Sequence, residues 1–342
     1  AHQSTPSSPP PISASPPASI SSSPLSPLSP PPTPSLTPSP PPPTVNSDRL
    51  LQHLQALNFN RYTSDDRARA REYLAQTLAS FGWQPEAQSF KAGVNLVARR
   101  IGSDPAKGKI LVAAHYDTVP GSPGADDNAS AIAAILELAR LFGHWDTTGR
   151  SLQLALFDQE ETGLRGSLAF AADPANLRQI EGVINLDMVG YACYTPGCQQ
   201  YPQGLPVTPP SIQGDFIAVV GDQEHLPLLN AFQNQPPETE LPPALTLPVP
   251  LKGLLTPDVL RSDHAPFWAK NIGAVLVSDT ANFRNPHYHQ SSDTLATIDP
   301  TFLTGVTQRV VNVVHGLLNS QASLATPIEN DHTDQATKSQ AS

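Results

Sequence analysis

Charge is scarce in this chain of 342 residues, and most of it is negative. Lys, Arg, Asp and Glu make up 15% of the residues, and the formal net charge is −10. Proteins bind nucleic acid and anionic membrane surfaces through clusters of positively charged residues, so we expect neither as a partner. No apolar run reaches the roughly 18 residues of a membrane-spanning helix, and the sequence therefore predicts no membrane span.

The chain has two cysteines, Cys193 and Cys198, which stand close together in CYTPGC. Their spacing differs from the C-x₂-C of a typical metal pair, and no further cysteine could complete such a site. We therefore expect Cys193 and Cys198 to form a disulfide that closes a small loop, which fits an exported protein; the alternative is two unrelated thiols. A start at Ala1 fits a chain that has lost a signal peptide, and it equally fits a truncated longer chain. We expect a secreted, periplasmic or cell-surface protein.

Charged residues are missing altogether between His2 and Asp48. Residues 1–45 consist almost entirely of Pro, Ser, Thr and small apolar residues, as in SPLSPLSPPPTPSLTPSPPPP. Such a segment can bury too little to offset the entropy lost on ordering. The composition predicts a disordered linker or stalk over 1–45, a globular domain over 46–320 and a flexible polar tail over 321–342.

The globular part alternates between two kinds of segment. Apolar runs such as KILVAA, SLQLALF and GVINL are typical of buried strands, whereas ASAIAAILELARLFG and PTFLTGVTQRVVNVVHGLLNS have helical spacing. Continuous apolar strands separated by helices predict an α/β fold with a mostly parallel central sheet and helices on both faces. In such sheets, binding sites form beyond the carboxyl ends of the strands.

Side chains suited to metal binding stand at several of these strand ends and in nearby loops. In chain order they are His115, Asp117, Asp127, Glu160, Glu161, Asp187, His287 and His289. Each alone has an ordinary explanation, such as a helix cap or a solvated surface residue. Together they would crowd negative charge at one edge of the sheet, which is costly unless cations lie there. Imidazole and carboxylate ligands suit zinc, and the number of donors suggests two ions.

The ordered motifs HYDT, GADDN, EE, NLDMVG, RSDHAPF and YHQSSDT resemble the bacterial leucyl aminopeptidase family of co-catalytic zinc exopeptidases. Glutamate carboxypeptidase II and glutaminyl cyclases are relatives of that family. The resemblance covers roughly residues 46–318. It implies the zinc exopeptidase fold and two Zn²⁺ ions per chain. From the acidic residues near the predicted site and the apolar segment 239–255, we expect a peptide substrate with a free amino terminus, with apolar first residues favoured.

The resemblance also implies a role for individual residues. The implied metal ligands are His115, Asp127, Glu161, Asp187 and His289, with Asp127 shared by the two ions. Glu160 resembles the general base, and Asp117 resembles the acceptor that orients His115. Tyr288 is the candidate donor to the oxyanion, and Arg261 is a candidate substrate contact whose alternative is a structural ion pair. Many members of the family have a cis peptide bond after the shared aspartate, which predicts one at Asp127–Asn128.

Several alternatives stay open beside an aminopeptidase. A carboxypeptidase on the same fold would want several Arg residues near the pocket, but region 191–262 offers Lys252 and Arg261 against six acidic residues. A glutaminyl-cyclase-like acyltransferase would use one zinc and would typically have Ser where this chain has Asn128. A non-catalytic binding domain would have lost ligands or Glu160, and none is missing. We expect a monomer whose substrate pocket draws apolar walls from segment 239–255.

Overall fold

The computed structural model describes residues 40–144, 149–202, 211–235, 241–320 and 322–324. Most of the predicted linker and of the predicted tail lies outside these residues. The last part of the linker is described, and it is attached to the domain. Gln308 donates a hydrogen bond to Pro43 O over 3.0 Å and accepts one from Val45 N over 2.8 Å.

Helices and strands alternate along the described part of the chain. The α-helices are α1 (Ser47–Leu57), α2 (Ser64–Ser80), α3 (Ala131–Phe142), α4 (Arg165–Ala172), α5 (Pro174–Leu177), α6 (Leu226–Gln233), α7 (Ala265–Trp268) and α8 (Pro300–Asn319). The strands are β1 (Glu86–Phe90), β2 (Gly93–Arg100), β3 (Lys109–His115), β4 (Ser151–Phe157), β5 (Ile180–Leu186), β6 (Ile217–Asp222), β7 (Ala244–Val249) and β8 (Ala274–Ser278).

The strands form one sheet in the order β1-β2-β4-β3-β5-β8-β6-β7. The four central strands, β4, β3, β5 and β8, are parallel to one another. Antiparallel pairs join β1 to β2, β2 to β4, and β6 to β8, while β6 and β7 are parallel. The predicted α/β class with a mostly parallel centre is confirmed, and the antiparallel pairs lie toward the two sides.

Alternate residues of the central strands bury their side chains on opposite faces of the sheet. On one face Ile110 and Val112 pack with apolar residues of α1, α2, α3 and α8. On the other face Leu111 packs in a smaller core with Phe170 of α4 and Phe267 of α7. Both faces are covered, which explains why these strands read as continuous apolar runs. Among the described residues, none of the helices combines the length and the apolar character that crossing a bilayer requires.

The predicted helix after Asp127 begins later than expected. Residues Ala125–Ser130 form a wide π-type turn, in which Asp127 and Asn128 have non-helical backbone angles. The regular helix α3 starts at Ala131. The predicted cis peptide bond at Asp127–Asn128 is confirmed.

Candidate metal centre

The strand order brings the predicted site residues together at the carboxyl ends of the central strands. His115 is the last residue of β3, and β3 lies between β4 and β5. Glu160 follows β4 and Asp187 follows β5, and both pairs of neighbouring strands are parallel. Because parallel strands end at the same edge, three separate chain segments converge there.

Two groups of ligand-type atoms lie at this edge, and Asp127 belongs to both. The first group is His115, Asp127 and Asp187, and the second is Asp127, Glu161 and His289; within each, the ligand atoms lie within 4.8 Å of one another. The two oxygens of Asp127 divide between the groups. Oδ1 is 3.4 Å from His115 Nε2, and Oδ2 is 3.2 Å from His289 Nε2.

In each group the imidazole also lies close to the second carboxylate. His115 Nε2 lies 3.6 Å from Asp187 Oδ1, and His289 Nε2 lies 2.9 Å from Glu161 Oε2. The donor set is imidazole and carboxylate, the kind that zinc binds. Glu161 Oε1 is buried and has no hydrogen-bond partner among the described residues. A buried carboxylate oxygen without a partner is costly, so this donor set fits a pair of divalent cations.

Several titratable side chains are buried close together in this site, and both burial and their neighbours shift their pKa values. Burial alone would raise the pKa of Asp127, but the close imidazoles of His115 and His289 hold it well below its usual value. Burial and the charge of Asp127 raise the pKa of Glu161 to about 7. Burial would lower the pKa of His289, yet its close contacts with the carboxylates of Asp127 and Glu161 raise it to about 10. Without a cation, protons on the imidazoles balance the carboxylates.

Glu160 lies beside the first group without belonging to it. Its Oε2 is 3.9 Å from His115 Nε2, and the residue is 8% exposed. Burial raises the pKa of its carboxyl group well above the usual value, and the negative charges of Asp187, Asp263 and Glu161 raise it further against the effect of His115. A raised pKa of this kind suits a carboxyl group that takes a proton and passes it on.

Asp117 connects the imidazole to the glutamate pair. His115 Nδ1 lies 3.3 Å from the main-chain oxygen of Asp117 and 3.5 Å from its Oδ1. The same carboxylate accepts hydrogen bonds from the backbone nitrogens of Glu160 and Glu161. Asp117 therefore lies where the predicted orienting residue should, and it also holds the turn that carries both glutamates.

Two further polar residues position the site, and sequence reasoning missed their roles. Asp293 accepts hydrogen bonds from the backbone nitrogens of Asp126 and Asp127, at 2.9 and 3.0 Å. Asn128 donates to Leu186 O and accepts from Met188 N, so it braces the backbone on both sides of Asp187. Asp293 stands in the quoted motif YHQSSDT, which was the available signal; nothing in the sequence linked it to Asp127.

A cavity of about 200 Å³ opens beside the first group, with Asp187 in its wall. Its floor is a stretch of sheet face that includes Ala218 and Val220 of β6. The apolar part of its lining is Pro202, Phe216, Ala218, Val220, Leu245, Leu247, Val259, Leu276, Ala281 and Phe283. The expectation that segment 239–255 supplies wall residues agrees with Leu245, Thr246 and Leu247.

The remaining predicted residues lie around this cavity. Tyr288 and Arg261 both line it, and they are hydrogen-bonded to each other. His287 is not in either ligand group; its Nδ1 lies 2.9 Å from Ser292 Oγ. Cys193 and Cys198 form the predicted disulfide, and Gln200 and Tyr201, just beyond it, line the cavity.

Comparison with known proteins places the chain in a family. Residues 95–228 match Peptidase family M28. Uncharacterized protein YfbL of Escherichia coli is 30% identical over 267 residues, which is 73% of this chain and 80% of YfbL. The chain belongs to peptidase family M28. A second relative of this M28 peptidase, the probable lipoprotein aminopeptidase LpqL of Mycobacterium tuberculosis, is 29% identical over 231 residues, 63% of this chain and 43% of LpqL.

Solved structures show that this M28 peptidase shares its fold with enzymes of different activity. The aminopeptidase from Aneurinibacillus sp. strain AM-1 superposes with a TM-score of 0.63 at 17% identity, covering 83% of this chain and 97% of that one. Glutaminyl cyclase of Porphyromonas gingivalis superposes with a TM-score of 0.58 at 20% identity, covering 80% and 99%. At these identities the likeness shows the fold alone.

Proposed function

We propose that this M28 peptidase is an aminopeptidase that uses two Zn²⁺ ions and releases apolar residues from a free amino terminus. The observation that carries the proposal is the division of Asp127 between two ligand groups. A carboxylate with an imidazole at each oxygen suits a bridging ligand of a metal pair. The pair would be held by His115, Asp127 and Asp187 on one side and by Asp127, Glu161 and His289 on the other.

The protein's own residues would carry out the proton transfers. A bound zinc pair supplies Lewis acidity and makes water a nucleophile at neutral pH. Glu160 lies 3.9 Å from His115 and would take the proton of the attacking water and pass it to the leaving amine. The Tyr288 hydroxyl lines the cavity and would donate a hydrogen bond to the carbonyl oxygen as negative charge develops on it.

The surroundings of the site favour an ammonium group over a carboxylate. Glu160 lies beside the ligand groups without belonging to either, so its carboxylate can attract a positively charged terminus while Glu161 and Asp187 bind zinc. Arg261, the arginine in the cavity wall, already has Asp258 3.7 Å away. The apolar lining would take the first side chain of the substrate, with a broad preference because apolar pockets discriminate by only about 1–3 kcal/mol per methylene.

Features of the relatives support both the activity and the location. LpqL is named a lipoprotein aminopeptidase, and the Aneurinibacillus structure is an aminopeptidase. Together with the disulfide, LpqL supports a protein that works outside the cytoplasm. The glutaminyl cyclase structure also superposes on this chain, but five candidate ligands for a two-ion site converge here, which supports hydrolysis over cyclisation.

The test compares three peptides with the zinc-loaded protein. Leu-Gly-Gly and its C-terminally amidated form should both lose their first leucine, whereas the N-acetylated form should not be cleaved. Metal analysis should find two zinc ions per chain. Cleavage of the acetylated peptide, with no cleavage of the amidated one, would mean a carboxypeptidase. One zinc, with cyclisation of N-terminal glutamine, would mean a glutaminyl cyclase.

A further inference from the structure

The Arg261 side chain is directed at one hydroxyl group of the candidate active site. Its Nη2 donates a hydrogen bond to Tyr288 Oη over 3.1 Å, and its Cζ lies 5.8 Å from the centre of the Tyr288 ring. The other terminal nitrogen is anchored away from that ring. Nη1 lies 2.9 Å from Asn282 Oδ1 and 3.7 Å from Asp258 Oδ1. Arg261 is thus held on one side and presents a donor to Tyr288 on the other.

This contact determines the direction of the hydrogen bond at the phenol. A guanidinium group can only donate, so the Tyr288 oxygen must accept, and its own hydrogen stays available for another partner. Within the described part of the chain, that hydroxyl donates to no acceptor. The ring itself is fixed, because it stacks on the His289 imidazole with 3.7 Å between ring centres. The O–H group is therefore held in the cavity wall next to a candidate ligand.

The positive charge of Arg261 strengthens the same arrangement. A hydrogen bond from a charged donor is stronger than one between neutral groups, and it polarises the group that accepts it. A phenol that accepts such a bond becomes a better donor through its own hydrogen. That property is of use where negative charge develops on an oxygen during the reaction.

We propose that Arg261 is a positioning residue, which aims and polarises the Tyr288 hydroxyl toward the substrate oxygen that becomes negative during peptide hydrolysis. The inference rests on the proposed aminopeptidase function, and it replaces a direct substrate contact for Arg261 with an action through Tyr288. No bond forms or breaks at the guanidinium group. Tyr288 keeps its proton and only donates a hydrogen bond.

A double-mutant cycle tests the inference in the full zinc-loaded chain with leucyl-p-nitroanilide. Arg261→Gln should lower kcat about tenfold, as loss of one charge-assisted hydrogen bond would, with KM within about twofold of the unsubstituted protein. Tyr288→Phe should lower kcat by about 100-fold. If Arg261 acts through the Tyr288 hydroxyl, the double variant should be no slower than Tyr288→Phe alone.

A second readout does not depend on turnover. The phosphonic acid analogue of leucine carries a tetrahedral anion, and calorimetry should show its affinity falling by the same factor in Arg261→Gln as kcat does, with no further fall in the Tyr288→Phe background. Arg178→Gln removes an exposed arginine just before β5, at the opposite edge of the sheet, and serves as the matched control. Arg261→Lys keeps a donor and should recover part of the lost kcat.

Two results would overturn the inference. One is an equal fall in kcat for Arg261→Gln with and without the Tyr288 hydroxyl, which would mean that Arg261 acts by its own contact. The other is an unchanged kcat in Arg261→Gln. Zinc content and the thermal unfolding midpoint are measured for every variant, and Arg261→Met, which also removes the donor, replaces Arg261→Gln in the cycle if the glutamine variant does not fold. The rate of the unsubstituted protein tests the proposed function. The fall in kcat caused by Arg261→Gln, compared with and without the Tyr288 hydroxyl, tests the role of Arg261 separately.

Discussion

The carboxylate of Asp117 holds the backbone of Glu160, with 3.0 Å between Oδ1 and the amide nitrogen. Oδ2 accepts a hydrogen bond from the next amide, that of Glu161, over 3.2 Å. The same residue lies against His115 Nδ1. One side chain therefore sets the spacing between the candidate base, a candidate ligand of one group and a candidate ligand of the other.

Replacing Glu160 with Gln should remove the base and leave the centre intact. The amide fills the same space but cannot take a proton from water, so kcat should fall by several orders of magnitude. Zinc content and the unfolding midpoint should match the unsubstituted protein, because Glu160 is in neither ligand group. Steady-state kinetics with leucyl-p-nitroanilide measures the effect. A variant that keeps more than about a tenth of kcat would remove Glu160 from this role.

Replacing Asp293 with Asn should weaken metal binding without touching a ligand. Asp293 accepts two backbone hydrogen bonds beside Asp127, and an amide can accept only one while its NH₂ group faces the other donor. Loss of such support typically costs 10–100-fold in metal affinity. Competition with a zinc-selective chelator measures the change. Unaltered zinc affinity in a folded variant would show that Asp127 is held in place by other contacts.

Replacing Ala218 with Phe should change which substrates are preferred. Ala218 lies in the cavity floor on β6, and a ring there would occupy the space of the substrate's first side chain. The kcat/KM for leucyl and phenylalanyl substrates should fall by about 10–100-fold, and that for an alanyl substrate should fall much less. Ala175→Phe, at an exposed position of α5, is the control. An equal loss for all three substrates would place the side-chain pocket elsewhere.

Zinc uptake should release protons. Contacts with the surrounding carboxylates outweigh burial and raise the pKa values of His115 and His289, that of His289 to about 10, and the pKa of Glu161 is raised to about 7. Zinc binds neutral imidazole and ionised carboxylate, so these groups should lose protons when zinc binds, and zinc affinity should fall as pH falls. Calorimetry in two buffers of different protonation enthalpy counts these protons. His289→Ala should reduce the number by about one, and zinc binding without proton release would contradict this charge assignment.

The sequence predicts the parts of the fold and site that follow from local pattern. Strands β3, β4 and β5 are mostly apolar along their length, because both of their faces are covered. Their ends could therefore be located, and with them His115 and Asp187. Motif resemblance then supplied Asp127 and His289, which follow no central strand directly.

Local sequence pattern does not predict strands that are short or polar, or contacts between residues far apart in the chain. Strand β1, EAQSF, is largely exposed at the edge of the sheet and has no apolar run to mark it. Strand β7 contains Pro248 and was predicted only as a pocket wall, since proline is uncommon inside strands. The hydrogen bond from Asp127 to Asp293 joins residues 166 positions apart. No local property of either residue indicates the other.

The two ligand groups draw on positions scattered over much of the chain, from His115 to His289. Strand β8 must lie beside β5, and the loop after it must close over Asp127, before the second group exists. A chain folded only as far as Asp187 would carry His115, Asp127 and Glu161 as well but would lack the last imidazole, His289. Hydrolytic capacity would therefore arise only when most of the domain has folded and little of the enzyme's own chain is open to attack.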